Sequence, residues 1–418
     1  MSTLFIGWQS FAIEDEWPED EWGEETSSPW QFSGFTELAY GKFLQSNIVY
    51  SNNSLSEIRT RADLGYSHEL FEFSVKGDLV YDDVIAKTIW RTRELNLAAG
   101  PTDFLDIKIG RQILTWGTSD YLFINDLFPK DWQSFFSGRD DEYLKSSSNS
   151  IKTSWYTGEF TLDVAWTPEF TQDNYLTGER FSFYSSLAQQ IIAPSENFNV
   201  EQTNNEQWFA RLATNKNGVE YALYGYQGFW TTPVGVNISQ NQQPMPYFPK
   251  MNSWGASIRM PLANGLFNVE IASYNSVEDN DGINPFVANG QLRLLLGYET
   301  ELAKNLTVSV QYYLEHTKDY DQFRRHSFYP QQIVDENRQL ITLRLRYSAM
   351  QQKLIYSLFS FYSPTDEDGY LKPSITYRYN DQWSYSAGAN IFWGKENFSF
   401  FGQHQDNSNA WLRIRYQF

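Results

Sequence analysis

A chain of 418 residues with 51 acidic and 32 basic side chains carries a formal charge of −19, a balance that repels phosphate backbones and excludes nucleic acid as a partner. Having no cysteine, it cannot be a secreted disulfide scaffold, whereas a protein that crosses an oxidising periplasm unfolded is well served by lacking thiols. No window offers the roughly 18 uncharged apolar residues of a spanning helix, yet aromatic content reaches 17%, which suits the interfacial girdles of a transmembrane barrel or a carbohydrate-binding β-protein.

Residues 1–29 stand apart. Glu14, Asp15, Glu16, Glu19, Asp20, Glu21, Glu24 and Glu25 are interrupted by Trp17, Pro18 and Trp22. Such a run reads first as a solvated acidic tail, and second as a periplasmic segment that folds into a lumen or docks on an export partner. No basic and then apolar leader opens the chain, as expected if Met1 begins a mature form whose signal peptide has been removed.

From Trp30 the dominant period is two. Ile58, Thr60, Ala62, Leu64 and Tyr66 share one face of a segment while Arg59, Arg61 and Asp63 share the other, and Ile341, Leu343, Leu345 and Tyr347 oppose Thr342, Arg344 and Arg346 in the same way. Helical spacing would scatter these charges around the element, so strands are predicted. About eighteen such segments follow one another, near 30–42, 55–67, 70–81, 91–99, 104–114, 150–157, 159–167, 207–214, 218–228, 252–260, 265–275, 290–301, 305–317, 339–349, 352–362, 369–379, 382–393 and 409–418. Short connections such as Asn215–Gly218, Asn264–Gly265 and Asn380–Asp381 alternate with long ones of 35 to 40 residues, as at 115–149 and 168–206. Short periplasmic turns and long extracellular loops produce this alternation in an all-β, transmembrane antiparallel barrel, with residues 30–418 as the barrel and both termini on the periplasmic side. The last strand, Trp411–Phe418, alternates to a terminal aromatic. Tyr416 and Phe418 resemble the signal by which the barrel-assembly machinery recognises its clients.

If the apolar face meets outer-membrane lipid and lipopolysaccharide, the other face lines the interior. Parity assigns Arg59, Arg61, Lys76, Lys108, Arg293, Arg344, Arg346, Arg378, Arg413 and Arg415 to the pore lining, along with Lys152, Arg259 and carboxylates such as Glu57, Asp78, Glu94 and Glu270. These groups either cross-brace the wall or, in the arc of Arg59, Arg61, Arg413 and Arg415, attract an anionic solute. Segment 115–149 is too apolar for a free loop. A constriction loop folded into the pore is expected there, presenting Trp116, Asp120, Asp126, Lys130 and Asp131; the alternative is a cap on neighbouring loops.

Ile109-Gly110-Arg111-Gln112-Ile113-Leu114-Thr115-Trp116-Gly117, followed by Asp126-Leu127-Phe128-Pro129-Lys130-Asp131, resembles a pattern in alginate-export-like outer-membrane barrels, and still more that of related barrels encoded beside RND-type lipid exporters. In those barrels the strand carries Gly-Arg-Gln, then Trp-Gly, then an Asn-Pro-x-Asp-like turn; here Phe128 takes the place of that Asn. The motif covers about 25 residues and implies an eighteen-strand-type barrel that exports or admits a polymer, a lipid or a small solute.

An enzyme is not expected. His68, His316, His326 and His404 are scattered, and no Gly-x-Ser-x-Gly elbow or His-Glu-x-x-His helix accompanies them. Neither a cofactor nor a metal site is expected, because the acidic turns Glu278–Gly282 and Asp366–Gly369 lack a full calcium loop and read as solvated turns. Some 29 residues before the first strand cannot form the plug of a TonB-gated receptor. Two functions remain: a channel in the cell outer membrane for small hydrophilic solutes, anionic ones among them, or an exported polymer, and the outer-membrane component of a lipid or hydrophobic-compound export system docked through residues 1–29.

Overall fold

The computed structural model describes residues 28–49, 51–119, 121–186, 188–193, 200–238 and 244–418. Residues 1–27 of the acidic segment and Asp120 of the expected constriction loop lie outside the described residues. Eighteen antiparallel strands form one closed sheet. They are β1 (Trp30–Phe43), β2 (Asn53–His68), β3 (Phe71–Asp82), β4 (Lys87–Thr102), β5 (Leu105–Ile113), β6 (Ser147–Thr157), β7 (Phe160–Thr167), β8 (Gln207–Lys216) and β9 (Val219–Phe229). After them come β10 (Lys250–Leu262), β11 (Gly265–Ser276), β12 (Gln291–Ala303), β13 (Leu306–Thr317), β14 (Asn337–Ala349), β15 (Leu354–Ser363), β16 (Asp368–Arg378), β17 (Trp383–Gly394) and β18 (Asn409–Gln417). Each pairs with its chain neighbour, and β1 pairs with β18 to close the ring. Gly34 and Phe418 exchange backbone hydrogen bonds of 2.9 and 3.0 Å at that seam, extending it to the last residue. Closure leaves no strand edge unpaired, which is the condition for crossing hydrocarbon without a helix.

Every predicted segment is a strand, and parity holds. In β2, Glu57, Arg59 and Arg61 are buried while Ile58, Thr60 and Ala62 are exposed on the outer surface. That surface is aliphatic at mid-height, with Leu223 58% and Leu412 62% exposed. Exposed aromatic side chains flank it at both ends, Trp30, Phe104, Tyr356 and Trp383 toward the short turns, Tyr40, Trp90, Trp208 and Trp254 toward the long loops. An apolar band between two aromatic girdles is the surface a bilayer selects.

The loop alternation is less strict than expected. Two outer connections are tight hairpins, Asp83–Ala86 and residues 364–367. β3 and β4 stay paired out to Asp82↔Lys87 because Asp82 turns inward to buried arginines, while Ala86 closes the turn at positive φ. In the sequence, a pair of aspartates reads as loop.

A constriction loop in the lumen

The segment between β5 and β6, residues 114–146, enters the barrel and crosses it at mid-height. Its departure is set by the Gly110–Trp116 motif. Gly110 has φ +121°, and a Cβ there would come within 2.3 Å of the Leu95 carbonyl on β4, so only glycine lets β5 approach β4 this closely before the chain leaves the wall. Gln112 is fully buried and donates to the Lys108 and Ser150 carbonyls at 3.2 and 3.1 Å. Trp116 then packs edge-on against Phe128, centroid distance 5.0 Å, and both rings meet Phe209 of β8.

The far wall holds the loop by hydrogen bonds. Glu270 of β11 accepts from the Thr118 N–H at 2.5 Å, the Thr118 hydroxyl at 2.8 Å and Asn125 Nδ2 at 2.8 Å. Asn125 lies so close to β10 that a Cβ on Gly255 would overlap its Oδ1, at 1.8 Å. Beyond it, buried Lys130 donates to Asp126 at 3.0 Å and to the Phe128 carbonyl at 2.6 Å, its Nζ 4.4 Å from the Phe123 ring centre. Asp131 caps the helix α1 (Trp132–Ser137) by accepting from the Ser134 N–H at 2.8 Å. That helix places Phe135 and Phe136 against Tyr370 and Phe392, and Asn390 and Asn409 donate to the Phe136 carbonyl. Trp116, Asp126, Lys130 and Asp131 thus all lie in this segment inside the barrel.

A charged anchor fixes the third side. After Gly138 the loop carries Arg139, Asp140, Glu142 and Tyr143 to the inner faces of β18, β1, β2 and β3. Arg139 donates to Glu57 at 2.7 Å and to Asp82 at 3.1 Å. Arg180, from the connection between β7 and β8, also pairs with Asp82. Arg59 meets Glu57 at 2.9 Å and Asp78 at 3.1 Å, and Arg61 meets Asp78 and Glu142, each at 2.7 Å. Arg415 donates to Glu37 at 2.8 Å, while Arg413 reaches Asp140 at 3.3 Å and the Gly138 carbonyl at 3.2 Å. The Tyr143 ring sits 4.2, 4.8 and 4.6 Å from the guanidinium carbons of Arg59, Arg61 and Arg93. Burial alone would raise Asp140, but Arg413 and Arg415 beside it hold its carboxyl below the usual range.

Arg59, Arg61, Arg413 and Arg415 therefore face the interior as parity requires, but the anchor covers them. Arg59 has no exposed surface, and its charge is matched by carboxylates on both sides. Parity tells which face a residue takes; it does not tell what folds against that face. Arg139, Asp82 and Arg180, which complete the anchor, were not among the expected pore residues. Arg139–Glu142 is a run of charges, and such runs are more often found on a solvated surface than inside a barrel.

Toward the turn end the interior is open to solvent and charged. Lys76 and Lys108 share Glu94 at 3.3 and 4.0 Å, and Arg344 reaches Glu299 at 2.9 Å. Arg211, unlisted among the expected pore residues, bridges Asp163 and Glu220 at 3.3 and 2.8 Å. Arg259, Arg346 and Arg378, near the turn ends of β10, β14 and β16, have no carboxylate within ion-pair distance among the described residues. Arg293 lies on the other side of the loop, 3.3 Å from Glu315 and over the Tyr274 ring at 4.1 Å.

On that loop-end side lies a cavity of about 980 Å³, bounded below by Phe123, Trp132 and Phe135 and beside by Trp230, Tyr313 and Phe361. Asp173 at its edge accepts from the Lys130 N–H, Trp132 Nε1 and the Thr231 hydroxyl at 2.8, 2.9 and 3.0 Å; burial pushes its carboxyl up to about 6 despite Lys130 nearby. The acidic turns serve the backbone: Glu278 accepts from the Lys250 N–H, and Asp279 from the Ile283 and Asn284 N–H groups.

No protein-family model matches the chain, and no curated protein matches it in sequence. Solved structures do match. OccAB3 of Acinetobacter baumannii is similar with TM-score 0.55 and 10% identity, over 93% of this chain and 98% of that one. OccK2 (OpdF) of Pseudomonas aeruginosa, solved with glucuronate, is similar with TM-score 0.55 and 10% identity, over 93% and 97%. OccK10 (OpdN) of Pseudomonas aeruginosa is similar with TM-score 0.50 and 11% identity, over 94% and 99%. At these identities the likeness is one of fold, and the fold is that of outer-membrane β-barrel porins.

Proposed function

We propose that this chain is an integral outer-membrane channel in which solutes pass the constriction loop between a charged periplasmic chamber and an aromatic outer vestibule. The observation that carries the reading is the loop itself, tied across the lumen to three walls with a cavity of about 980 Å³ on one side and part-exposed charged side chains on the other. A barrel kept only as a scaffold has no use for that partition. Anion preference is assigned to Arg259, Arg346 and Arg378, which stand near the turn ends of their strands with no carboxylate within ion-pair distance among the described residues; the fold neighbour OccK2 holds a carboxylated sugar, which supports the same choice. The test is single-channel recording in planar bilayers with reversal potentials under a salt gradient. Replacing those three arginines by Gln should move the reversal potential from the anion side toward zero. A wild-type barrel that inserts and never conducts would overturn the channel reading.

A second reading is favoured by the apolar vestibule and by the Gly110–Trp116 motif. In it, the chain is the outer-membrane component of an envelope export system of the RND-associated kind, carrying a lipid or other hydrophobic compound and docking through residues 1–29. Deleting residues 1–29 separates the two: a self-sufficient channel keeps its conductance, and a docked component loses partner binding while staying folded. In either case Tyr416 and Phe418, at the closing seam beside Trp383 and Phe32, are the residues presented to the assembly machinery.

A further inference from the structure

The cavity on the loop-end side of the constriction differs in chemistry from the chamber below it. Its volume, about 980 Å³, is near the top of the roughly 300–1,000 Å³ range of small-molecule sites. Its floor and walls are dominated by rings, among them Phe123, Trp132, Phe135, Trp230, Tyr274 and Phe361. Its lining cations are already matched, Lys130 with Asp126 at 3.0 Å, Arg293 with Glu315 at 3.3 Å, Arg338 with Asp366 at 2.5 Å and Lys395 with Glu367 at 3.0 Å, while Asp335 and Glu396 line its exposed part. A hydrated ion or a sugar entering this space gives up water to surfaces that return little for it. A flat apolar body gains from burial and from offset or edge-on contact with the rings.

Two polar atoms mark where the occupant's polarity belongs. Among the described residues, Trp230 Nε1 and Arg338 Nη2 are buried donors without a hydrogen-bond partner, set just behind the cavity wall on lining residues that are 8% and 9% exposed. Between them along the wall run Tyr274, 5.8 Å from Trp230, and the Arg293–Glu315 pair, with Arg293 over Tyr274. Both unmatched atoms are donors, so what they lack is an acceptor. Buried donors in folded proteins almost always find one.

We propose that the vestibule is a binding site for a ring-bearing amphiphile, with an apolar body against the aromatic floor and oxygen acceptors toward the Trp230–Arg338 wall. This deepens the channel reading by naming its solute class and rests on that reading for transport; binding itself stands on the cavity alone.

The probe is naphthalene-2-carboxylate, titrated into protein reconstituted in phosphatidylcholine nanodiscs and compared with empty nanodiscs. Saturable binding above the empty discs is expected. Ala288→Trp and Thr232→Trp, both in loops that line the cavity, fill it without touching a strand, and each should weaken binding by at least about tenfold, the loss of roughly one buried ring contact set. Arg338→Met should weaken it by about tenfold to a hundredfold, the share of one hydrogen bond to a charged donor. Having two filling variants keeps the test open if one misfolds. No saturable binding, or binding unmoved by both filling variants, overturns the inference. A protein that conducts ions yet fails to bind the probe overturns the site and leaves the channel standing. One that binds the probe, loses it on filling, and never conducts supports the site and overturns the channel.

Discussion

Arg139→Met is the sharpest test of how the constriction is held. The guanidinium lies 2.7 and 3.0 Å from Glu57, 3.1 Å from Asp82 and 3.1 Å from the Ser134 hydroxyl, in a site where none of the charged partners is more than 2% exposed. Met keeps the aliphatic stem and removes the charge. Stranding a carboxylate in such a place costs about 3–5 kcal/mol. Glu57 retains Arg59 and Asp82 retains Arg180, so the lower end, about 3 kcal/mol, applies. Glu57 and Asp82 sit on strands held by continuous ladders, whereas Arg139 sits on the loop. The cost therefore falls on docking rather than on the barrel. At about 1.4 kcal/mol per tenfold, the docked-to-undocked ratio falls by roughly 150-fold. Planar-bilayer recordings should show a larger-conductance state that is rare in the parent, and proteolysis should cut within residues 114–146 of an otherwise intact barrel. Glu57→Gln on top of Arg139→Met should restore part of the docking, since the stranded charge is then gone. Unchanged conductance histograms and unchanged protease resistance in a folded Arg139→Met barrel would refute the anchor.

Three further outcomes are expected. Gly255→Ala sets a methyl group against Asn125 and 2.8 Å from the Ile271 carbonyl, so it should loosen the Glu270 side of the loop and raise conductance without lowering barrel melting by more than about 1–3 kcal/mol in equivalent stability, the usual cost of overpacking. Asp173 is held at about 6 by burial, above its ordinary 3.8. The docked form binds that proton more tightly, so its docking strengthens by up to about tenfold per pH unit as pH falls through 6 toward 3.8, and is weakest above 6. His404, buried beside Phe136 and Phe392 and pushed down to about 4, acts in the opposite sense; the check is therefore the pH profile of loop proteolysis in Asp173→Asn against the parent, and identical profiles would count against the argument. Removing Phe418 deletes both seam hydrogen bonds to Gly34 and should lower the yield of heat-modifiable, membrane-inserted barrel, measured by gel mobility shift.

How much of this was legible in the sequence follows from which interactions are local. Strand parity is a property of successive residues, so Arg59 opposite Ile58, and Arg413 opposite Leu412, could be placed on faces without any tertiary information. The barrel followed from eighteen repetitions of that pattern with short turns between. Residues 114–146 were legible as buried because seventeen consecutive positions from Thr115 to Asp131 are too apolar for water. What could not be read was the partner of each interior charge. Arg61 is matched by Glu142 from 81 positions away, Asp82 by Arg180 from 98, and Arg413 by Asp140 from 273. No periodicity carries such distances, so anchor arginines and free arginines look alike in one dimension. The short hairpin at Asp83–Ala86 was misread for the same reason: Asp82 is tolerable in a strand only because arginines from two loops lie against it.

The two ways the loop is held bear on where it can give way. On the β18, β1, β2 and β3 side, arginine–carboxylate pairs are buried and interlinked, so breaking one leaves a stranded charge that its neighbours still need. On the β10 and β11 side, a single carboxylate, Glu270, receives three donors from Thr118 and Asn125, next to a glycine that supplies no side chain of its own. Water reaching Glu270 would satisfy it fully, because an ionised carboxylate is well hydrated and Thr118 and Asn125 hydrate easily. Asn268 also donates to the Thr118 hydroxyl at 2.9 Å and Tyr274 to the Ile124 carbonyl at 2.6 Å, so separation there costs about five ordinary hydrogen bonds exchanged for water, each worth roughly 0.5–3 kcal/mol net, without breaking a buried ion pair. The Glu270 side is therefore the one expected to open first, because its partners can be rehydrated and the buried ion pairs cannot, an outcome that the Gly255→Ala recordings check.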